Sequence, residues 1–373
     1  MTRAGVEMGF RERYDVPVHP LVASVGRALP PHFVDQETLI AAFRDLWSAQ
    51  HFNVQRLEDL HRAVNVSGRH LALPLSEYRP LETFRQRNDA WIRVARVLGA
   101  EATGRALRGA KMLPSDLDHL FFITVTGIAT PSVDALLVNE LRLRTDVKRT
   151  PIFGLGCVGG AAGVARAADY LRAFPDQVAV LLSVELCSLT LQREDLSIPN
   201  IIASGLFGDG AAAVVLLGAG RAQRSELRGP RVLATRSIFY PDTERIMGWD
   251  VVDTGFKVVL SAKVPNLVRD RIRGDVDDFL RHAGIDRARI RHWVAHTGGP
   301  KVLSAFEEAL ELPRDALQRS HRSLRETGNL SSASVLFVLG ELLESGEAKP
   351  GDLGLMVAMG PGFCSELVLL EWT

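Results

Sequence analysis

With 373 residues, the chain is long enough for two or three domains or for one large duplicated domain. Lysine plus arginine and aspartate plus glutamate both total 44, and this zero net charge argues against nucleic acid as a main partner, because phosphate binding needs a basic excess or a basic face. The 3 cysteines are too few and too scattered for a disulfide framework, and the sequence offers no zinc-ligand spacing.

Nothing in the sequence predicts a membrane protein. The N-terminal residues contain no apolar core of signal-peptide length, and the apolar run 178–182 is too short, and too soon followed by Glu185, to span a bilayer. We therefore expect a soluble cytoplasmic protein without membrane insertion. Residues 1–18 are expected to form a polar, partly disordered arm.

The first half of the chain alternates predicted strands with predicted helices. Asp35 is the expected N-cap of a helix, since Leu39, Phe43 and Leu46 recur at helical spacing after it. Such alternation predicts βαβ units and a mostly parallel sheet. The predicted strands are 21–28, 120–124, 151–155 and 178–184, and the predicted helices are 35–51, 81–109, 136–143 and 160–174.

The sequence also repeats itself at long range. "GDGAAAVVLL" at 208–217 is echoed by "GPGFCSELVL" at 360–369, and each is a Gly-x-Gly turn followed by an apolar strand. The predicted strand–turn–helix around Cys157 is echoed at 327–343, where Asn329 stands in place of the cysteine. A period of about 150 to 170 residues points to two related halves. We expect the divisions to be an arm, 1–18, an N-terminal half with the cysteine, 19–218, and a C-terminal half, 219–373.

Cys157 is the first candidate for chemistry, because it lies between a predicted strand and a helix, among glycines. At a helix N-terminus the macrodipole and the unpaired N–H groups favour negative charge, so a thiol there can act as a nucleophile. The alternative interpretation, a cysteine that packs a tight helix–strand contact, carries about equal weight on this stretch alone.

His296 is the second candidate, since it follows an apolar strand and precedes Pro300, a residue suited to the first turn of a helix. A side chain at this end of a strand points into the usual ligand crevice of α/β sheets. Taken alone, a capping or core histidine is the commoner case. His292 lies at the start of the same strand and is not favoured.

Asn329 and Phe207 complete the set. Asn329 in "GNLSSA" can cap the next helix or offer amide N–H groups to an oxyanion. Phe207 precedes the Gly-Asp-Gly turn and has the plain interpretation of a core aromatic. The order Cys…His…Asn fits a papain-like protease, but the duplicated α/β pattern does not. It also fits acyl-thioester chemistry, in which a thiolate carries an acyl group while histidine and asparagine stabilise an enolate.

Taken together, the motifs resemble those of type III polyketide synthases, the chalcone synthase-like branch of the thiolase fold. Ketoacyl-acyl carrier protein synthase III shares the triad but lacks two of the patterns. The similarity covers nearly the whole chain beyond the arm and implies an α/β, thiolase-like αβαβα five-layered fold of two duplicated halves. The motifs that carry it are "GCVGG" at Cys157, "GLFGDGAAAVV" at Phe207, "HTGGP" at His296, "GNLSSA" at Asn329 and "GPG" at 360–362.

The resemblance implies a role for each member of the triad. Cys157 accepts the starter acyl group from coenzyme A, and His296 and Asn329 donate hydrogen bonds to the malonyl thioester oxygen. His296 is also expected to lower the pKa of Cys157 by forming an ion pair. No metal or redox cofactor is implied, and the substrates are acyl-CoA and malonyl-CoA.

The resemblance also implies a cavity wall and a partner. Phe207 matches one gatekeeper aromatic; Val258 stands at the second gatekeeper position, with Phe256 two residues earlier, so plant chalcone specificity does not carry over. Thr130 matches a residue that reaches across a two-fold interface, which implies a homodimer. The other implied cavity residues are Thr126, Cys187, Thr190, Trp249 and Ser331, and the weak coenzyme A candidates are Lys301, Arg56 and Arg62.

Two stretches, "TVTGIATPS" and "SVELCSLTLQRED", are similar to bacterial relatives that make alkylpyrones or alkylresorcinols. The first hypothesis is therefore a long-chain fatty acyl-CoA starter, a few malonyl-CoA extensions and closure to an α-pyrone or resorcinol. The runner-up is a malonyl-primed synthase of 1,3,6,8-tetrahydroxynaphthalene. A non-catalytic partner protein is disfavoured because all three triad residues are present.

Overall fold

The computed structural model describes residues 19–47 and 53–373. The predicted arm and the last residues of the helix predicted over 35–51 lie outside this part of the chain. The strands are β1 (Leu21–Ala28), β2 (His32–Asp35), β3 (Gly68–Leu71), β4 (His119–Thr124), β5 (Lys148–Phe153), β6 (Val178–Leu186), β7 (Asp209–Leu217), β8 (Pro230–Phe239), β9 (Met247–Val252), β10 (Gly255–Leu260), β11 (Ile290–Ala295), β12 (Leu353–Gly360) and β13 (Cys364–Trp372).

The α-helices are α1 (Gln36–Trp47), α2 (Val54–Arg62), α3 (Leu75–Tyr78), α4 (Phe84–Gly109), α5 (Val133–Glu140), α6 (Gly159–Ala173), α7 (Ile198–Leu206), α8 (Ala219–Gln223), α9 (Val264–His282), α10 (Pro300–Leu310), α11 (Gln318–Thr327) and α12 (Ser334–Ser345). Asp35 caps α1 as predicted, because its Oδ1 accepts from the Thr38 N–H at 2.9 Å. Leu46, however, is 41% exposed rather than buried with Leu39. No helix in the two described stretches is long and apolar enough to cross a bilayer.

The large sheet carries the internal duplication. Within the described residues its nine strands follow the order β11-β12-β13-β8-β1-β7-β6-β4-β5. The strands β1-β7-β6-β4 and β8-β13-β12-β11 repeat one pattern, two antiparallel neighbours and then a parallel one. A single residue pair, Leu21 with Arg231, joins the half-sheets. The expected two related halves therefore appear in the topology.

The prediction of a mostly parallel sheet is wrong. Only β4–β5, β4–β6 and β11–β12 are parallel, and the other neighbours run antiparallel. The β12–β13 pair shows the reason, since Gly360 pairs directly with Cys364 across a tight turn. A turn this short cannot make the crossover that a parallel pair needs.

The layers follow from which strand faces are apolar. Alternate residues of β6 and β12 face a central cluster that contains α6 and α12. Their other faces pack outward, against α4 in the N-terminal half and against α9 and α10 in the C-terminal half. Because both faces of each half-sheet are covered, the strands are apolar throughout, and the order of layers is α-β-α-β-α.

The three predicted chemical residues lie at turns beside the central layer. Cys157 follows β5 and precedes α6, His296 follows β11, and Asn329 precedes α12. The helix part of the predicted echo at 327–343 is confirmed, but its strand part is wrong, because α11 rather than a strand leads to Asn329. The two central helices thus bring residues from both halves to one place.

A substitution at Gly160 tests the close contact between α6 and the turn that precedes α12. A Cβ at Gly160 would lie 2.2 Å from the backbone oxygen of Ser332, whereas one at Gly274 in α9 meets nothing within 4 Å. We expect Gly160→Ala to destabilise the protein by about 1–3 kcal/mol through overpacking. Gly274→Ala should stabilise it by up to about 1 kcal/mol through helix propensity. Chemical denaturation of both variants checks this, and equal shifts would contradict the packing of α6 on the Ser332 turn.

Candidate active site

Cys157 lies in a short 3₁₀ turn, Gly156–Val158, directly before α6, so the predicted thiol at a helix N-terminus is confirmed. Gly156 has φ +55°, and a Cβ there would lie 2.7 Å from Cδ of Pro361. Only glycine fits this turn, because its conformation is left-handed and the second Gly-x-Gly loop packs against it. The cysteine is 6% exposed.

His296 reaches the same pocket from the other half-sheet. Its backbone N–H donates to the Val357 oxygen at 2.9 Å, which continues the β11–β12 ladder by one residue and fixes the side chain at the strand end. Its Nδ1 and Nε2 are both buried without a hydrogen-bond partner among the described residues. Since buried polar atoms are normally satisfied, the imidazole is available to a ligand. His292, by contrast, pairs with Asp352 at 3.0 Å at the start of the strand.

Asn329 is oriented by its own turn. Its Oδ1 accepts from the Ser331 N–H at 2.8 Å and from the Ser334 hydroxyl at 3.4 Å. An amide whose oxygen is held in this way presents its NH₂ group in the opposite direction. That group hydrogen-bonds toward the Cys157 thiol, and this bond favours the thiolate form.

Cys157, His296, Asn329 and Phe207 all line one small cavity of about 50 Å³. The wall around them is apolar and includes Val258 and Trp249, among others. Residues that the sequence separates widely therefore meet at one pocket, two on turns of the C-terminal half and two on turns of the N-terminal half.

Ser331 is strained beside the nucleophile. It has φ +48°, which is rare for a residue with a side chain, and its hydroxyl lies 3.8 Å from the Cys157 sulfur. The bond from its N–H to Asn329 holds it in this conformation. Such strain concentrates at functional sites, so the placement of the Ser331 hydroxyl next to the sulfur supports a role in the pocket.

Burial dominates the electrostatics. It raises the pKa of the Cys157 thiol to about 12, against hydrogen bonds from Ser331 and Asn329 that lower it. Burial also lowers the pKa of His296 to about 3. An isolated charge on either group is therefore costly, and a thiolate is stabilised only if the imidazole takes up the thiol proton. The expected ion pair between the two stays a prediction.

A larger cavity of about 560 Å³ adjoins the catalytic one. Phe207, Trp249 and Val258 line both, and Cys187 and Thr190 line the larger one, so the predicted gatekeeper and cavity positions form the partition between two spaces. The other end of the larger cavity is lined by exposed residues of α1 and α3 such as Leu46 and Leu75. The larger cavity therefore begins on the far side of Phe207 from Cys157.

Two predicted cavity residues lie behind this wall. Thr126 is buried, and its hydroxyl donates to Glu185 at 2.9 Å and accepts from the Leu186 N–H at 2.9 Å. Phe256 packs edge-on against Phe84 with ring centroids 5.3 Å apart. With Thr190, both line a third, much smaller space rather than the catalytic cavity. Val258, and not Phe256, therefore lines the cavity that contains Cys157.

The coenzyme A candidates differ in position. Lys301 is exposed at the start of α10, next to Gly298 and Val302 in the catalytic cavity wall. Arg56 is exposed on α2, and Arg62 is paired with Glu37 at 2.9 Å and with Glu58 at 3.2 Å. Of the three, Lys301 alone adjoins the pocket.

Sequence reasoning missed two buried charged groups. Glu185 links Thr126 to Ser332, and burial raises the pKa of its carboxyl to about 7. Its only sequence signal was an acidic residue within an apolar strand. Arg69 in β3 is 1% exposed. Its neighbours in sequence carry no sign of its tertiary partners.

Two family models match the chain. That for chalcone and stilbene synthases, N-terminal domain, matches residues 12–221, and that for the C-terminal domain matches residues 231–372. A 1,3,6,8-tetrahydroxynaphthalene synthase from Streptomyces peucetius subsp. caesius is 50% identical over 351 residues, 94% of this chain and 93% of that protein. A putative chalcone synthase from Bacillus subtilis is 35% identical over 94% of this chain and 98% of that protein.

Among solved structures, the 1,3,6,8-tetrahydroxynaphthalene synthase of Streptomyces coelicolor A3(2), a bacterial type III polyketide synthase, superposes with a TM-score of 0.89. It is 30% identical, and the superposition covers 95% of this chain and 99% of that one. The layered fold described above is therefore the thiolase-like fold expected from the motifs.

The pH dependence of Cys157 alkylation tests how its proton is lost. If His296 accepts that proton, His296→Gln will move the midpoint of the iodoacetamide rate to higher pH by at least about one unit, since burial then opposes an unpaired thiolate. Alkylation rates at each pH, followed by mass spectrometry of the Cys157 peptide, measure this. Cys187→Ser serves as the control, with an unchanged midpoint. Identical midpoints with and without the imidazole would contradict the pairing.

Proposed function

The chain belongs to the chalcone and stilbene synthase family and is a type III polyketide synthase, and within this family we propose that it makes 1,3,6,8-tetrahydroxynaphthalene from malonyl-CoA alone. Its substrates are CoA thioesters, and it joins them by decarboxylating Claisen condensation. The observation that carries the choice of product is the 50% identity, over 94% of the chain, to a synthase of that compound.

Cys157 carries the growing chain in the proposed mechanism. The thiol proton passes to His296 as the sulfur attacks the thioester carbonyl of an acyl-CoA, and coenzyme A leaves as its thiol when the proton is returned. The helix N-terminus and the Cys157 backbone N–H favour the negative charge that develops at this step. Burial lowers the pKa of His296 and so favours its neutral form, which suits it to the role of base.

His296 and Asn329 act on the extender. The free imidazole N–H and the Asn329 NH₂ donate to the thioester oxygen of malonyl-CoA, so that loss of CO₂ leaves an enolate whose charge they stabilise. The enolate carbon attacks the Cys157 thioester, the C–S bond breaks, and the sulfur is free for another round. Burial of the pocket disfavours the malonyl carboxylate and favours its departure as neutral CO₂.

The composition of the larger cavity supports a malonyl starter. A chain built only from malonyl units carries an oxygen on every second carbon. Tyr78, Ser188 and Thr190 contribute hydroxyl oxygens to the cavity wall, and these polar groups suit such a chain. We propose that the cavity holds the poly-β-ketone before it cyclises, with Trp249 and Val258 at its neck.

A second candidate function is the synthesis of alkylpyrones or alkylresorcinols from a long-chain fatty acyl-CoA starter. One observation favours it, the apolar part of the cavity wall that leads away from Phe207 toward the surface. The residues that form it are Leu39, Phe43, Leu46, Leu71, Leu75 and Leu191. The same triad serves both functions, so the starter decides between them.

We also propose that the enzyme is a homodimer and works in the cytoplasm, where its cysteines stay reduced. β5 is the edge of the sheet and presents Phe153, 51% exposed, beside the exposed Ile128 and Thr130. Exposed apolar side chains such as Phe153 and Ile128 are typical of a surface that a partner covers, and a second copy supplies that cover. A mass of one chain in sedimentation at micromolar concentration would contradict this assembly.

Incubation with malonyl-CoA as the only substrate tests the proposed product. We expect a pentaketide naphthalene, identified by mass and by comparison with the authentic compound. Cys157→Ala is the matched negative control and should give none. If malonyl-CoA alone yields nothing, and alkylpyrones or alkylresorcinols form when fatty acyl-CoA is added, the second candidate function replaces the first.

A further inference from the structure

Arg69 lies in β3, in the wall of the larger cavity, and its guanidinium contacts the end of α7. We propose that it is a positioning residue for Asn329: it holds the carboxyl end of α7, and the backbone that follows α7 sets the place of the asparagine. The inference rests on the proposed role of Asn329 as a donor to the malonyl thioester.

The contacts of Arg69 are made to the helix end. Its Nη2 donates to the Ser204 oxygen at 2.8 Å, and its Nη1 donates to the Gly205 oxygen. The last carbonyls of a helix have no partner within the helix, and a cation at this end also complements the macrodipole. Gln36 supplies a second, longer bond to Gly205, 3.2 Å, but Arg69 is the one side chain of the described residues bonded to the Ser204 oxygen.

Arg69 stays cationic in spite of its burial. Removal from water lowers the pKa of its guanidinium to about 10, while the nearby Asp209 carboxylate favours the charge. Asp209 is itself held by the N–H groups of Ala72, at 2.6 Å, and Ser188, at 2.8 Å. Because Arg69 is 1% exposed, a shift of α7 that broke its two hydrogen bonds would leave a buried guanidinium without those partners, which is costly.

The residues directly after Gly205 form backbone hydrogen bonds with Asn329. The Asn329 N–H donates to the Leu206 oxygen at 2.9 Å, and the Asn329 oxygen accepts from the Gly208 N–H at 3.0 Å. These two bonds form an isolated parallel bridge between Phe207 and Asn329, which belong to different halves of the protein. We call this contact the Phe207–Asn329 bridge.

Glycines on both sides let the two backbone segments of the bridge pack so closely that neither can shift relative to the other. A Cβ at Gly328, where φ is +72°, would lie 2.7 Å from the Leu206 oxygen, and one at Gly208 would lie 2.3 Å from the Thr327 oxygen. The Asn329 backbone therefore moves with Leu206 and Gly208, one to three residues beyond the carbonyls that Arg69 holds. Any drift of the end of α7 displaces the amide donor, and a misplacement of about 1 Å can cost about 100-fold in rate.

The test is a double-mutant cycle between Arg69 and Asn329, with release of labelled CO₂ from malonyl-CoA as the rate. Arg69→Met keeps the length of the side chain but removes its donors, and we expect a loss of at least about tenfold. In the Asn329→Ala background, where the amide is already absent, Arg69→Met should cause no further loss. Arg69→Lys, which retains a donor, should recover much of the rate.

Controls separate positioning from general damage. Arg44→Met removes an exposed cation on α1 and should leave the rate unchanged, and the alkylation rate of Cys157 in Arg69→Met should stay within about threefold of that of the parent. If Arg69→Met fails to fold, the cycle is run with Arg69→Lys, whose smaller loss should likewise vanish without the amide.

Two outcomes overturn the inference. The first is an Arg69 substitution without effect on CO₂ release, and the second is the same fractional loss with and without the Asn329 amide. Failure of the proposed function looks different: Asn329→Ala itself would then release CO₂ at the parental rate.

Discussion

The Phe207–Asn329 bridge is the contact on which the site depends, because it ties the two halves of the molecule together at the pocket. Cys157 belongs to one half, and His296 and Asn329 belong to the other. Packing of α6 against α12 brings the two halves close together. Apolar packing alone, however, does not fix the position of the Asn329 amide donor to within a fraction of an ångström. The two backbone hydrogen bonds of the bridge, at 2.9 and 3.0 Å, fix the position of the Asn329 backbone. They form because Gly208 and Gly328 have no side chains and let the two segments come close together.

The proposed chemistry follows from the high cost of placing an isolated charge in this buried pocket. Thiol, imidazole and amide are all neutral in the pocket, since burial opposes both a lone thiolate and a lone imidazolium. In the proposed mechanism a malonyl carboxylate is likewise unfavourable here, and it leaves as CO₂ while the N–H donors of His296 and Asn329 stabilise the charge that remains. The same apolar wall that raises the cost of charge makes each donor more effective.

Much of the site could be predicted from sequence because its residues stand at chain features that sequence marks. Cys157 and His296 follow apolar strands, and glycine or proline signals the turn after each. Asn329 was harder, since the helix α11 that precedes it resembles no strand, and only its place in the motif carried the prediction. The strand directions were wrong because neighbours in a sheet depend on how connections cross, which local patterns do not encode.

The buried charged residues near the cavities could not be predicted from the sequence either, because local patterns do not encode tertiary contacts. Arg69 and Glu185 interact with residues more than a hundred positions away, at Ser204 and Ser332. Arg69 carries no local signal that separates it from a surface charge, and the one signal of Glu185, an acidic residue within an apolar strand, does not reveal its partners. Val258 was within reach, because the resemblance placed it at the second gatekeeper position, and Val258 rather than Phe256 lines the cavity that contains Cys157.

The most direct test of the account is the dependence of CO₂ release from labelled malonyl-CoA on the sulfur compared with its dependence on the amide. We expect Cys157→Ala still to release CO₂, within a few-fold of the parent, but to form no condensed product. We expect Asn329→Ala to lower the release by about 100-fold or more, the usual effect of losing one oxyanion donor. Loss of CO₂ release in Cys157→Ala, or CO₂ release at the parental rate in Asn329→Ala, would contradict the separate roles proposed for these two residues.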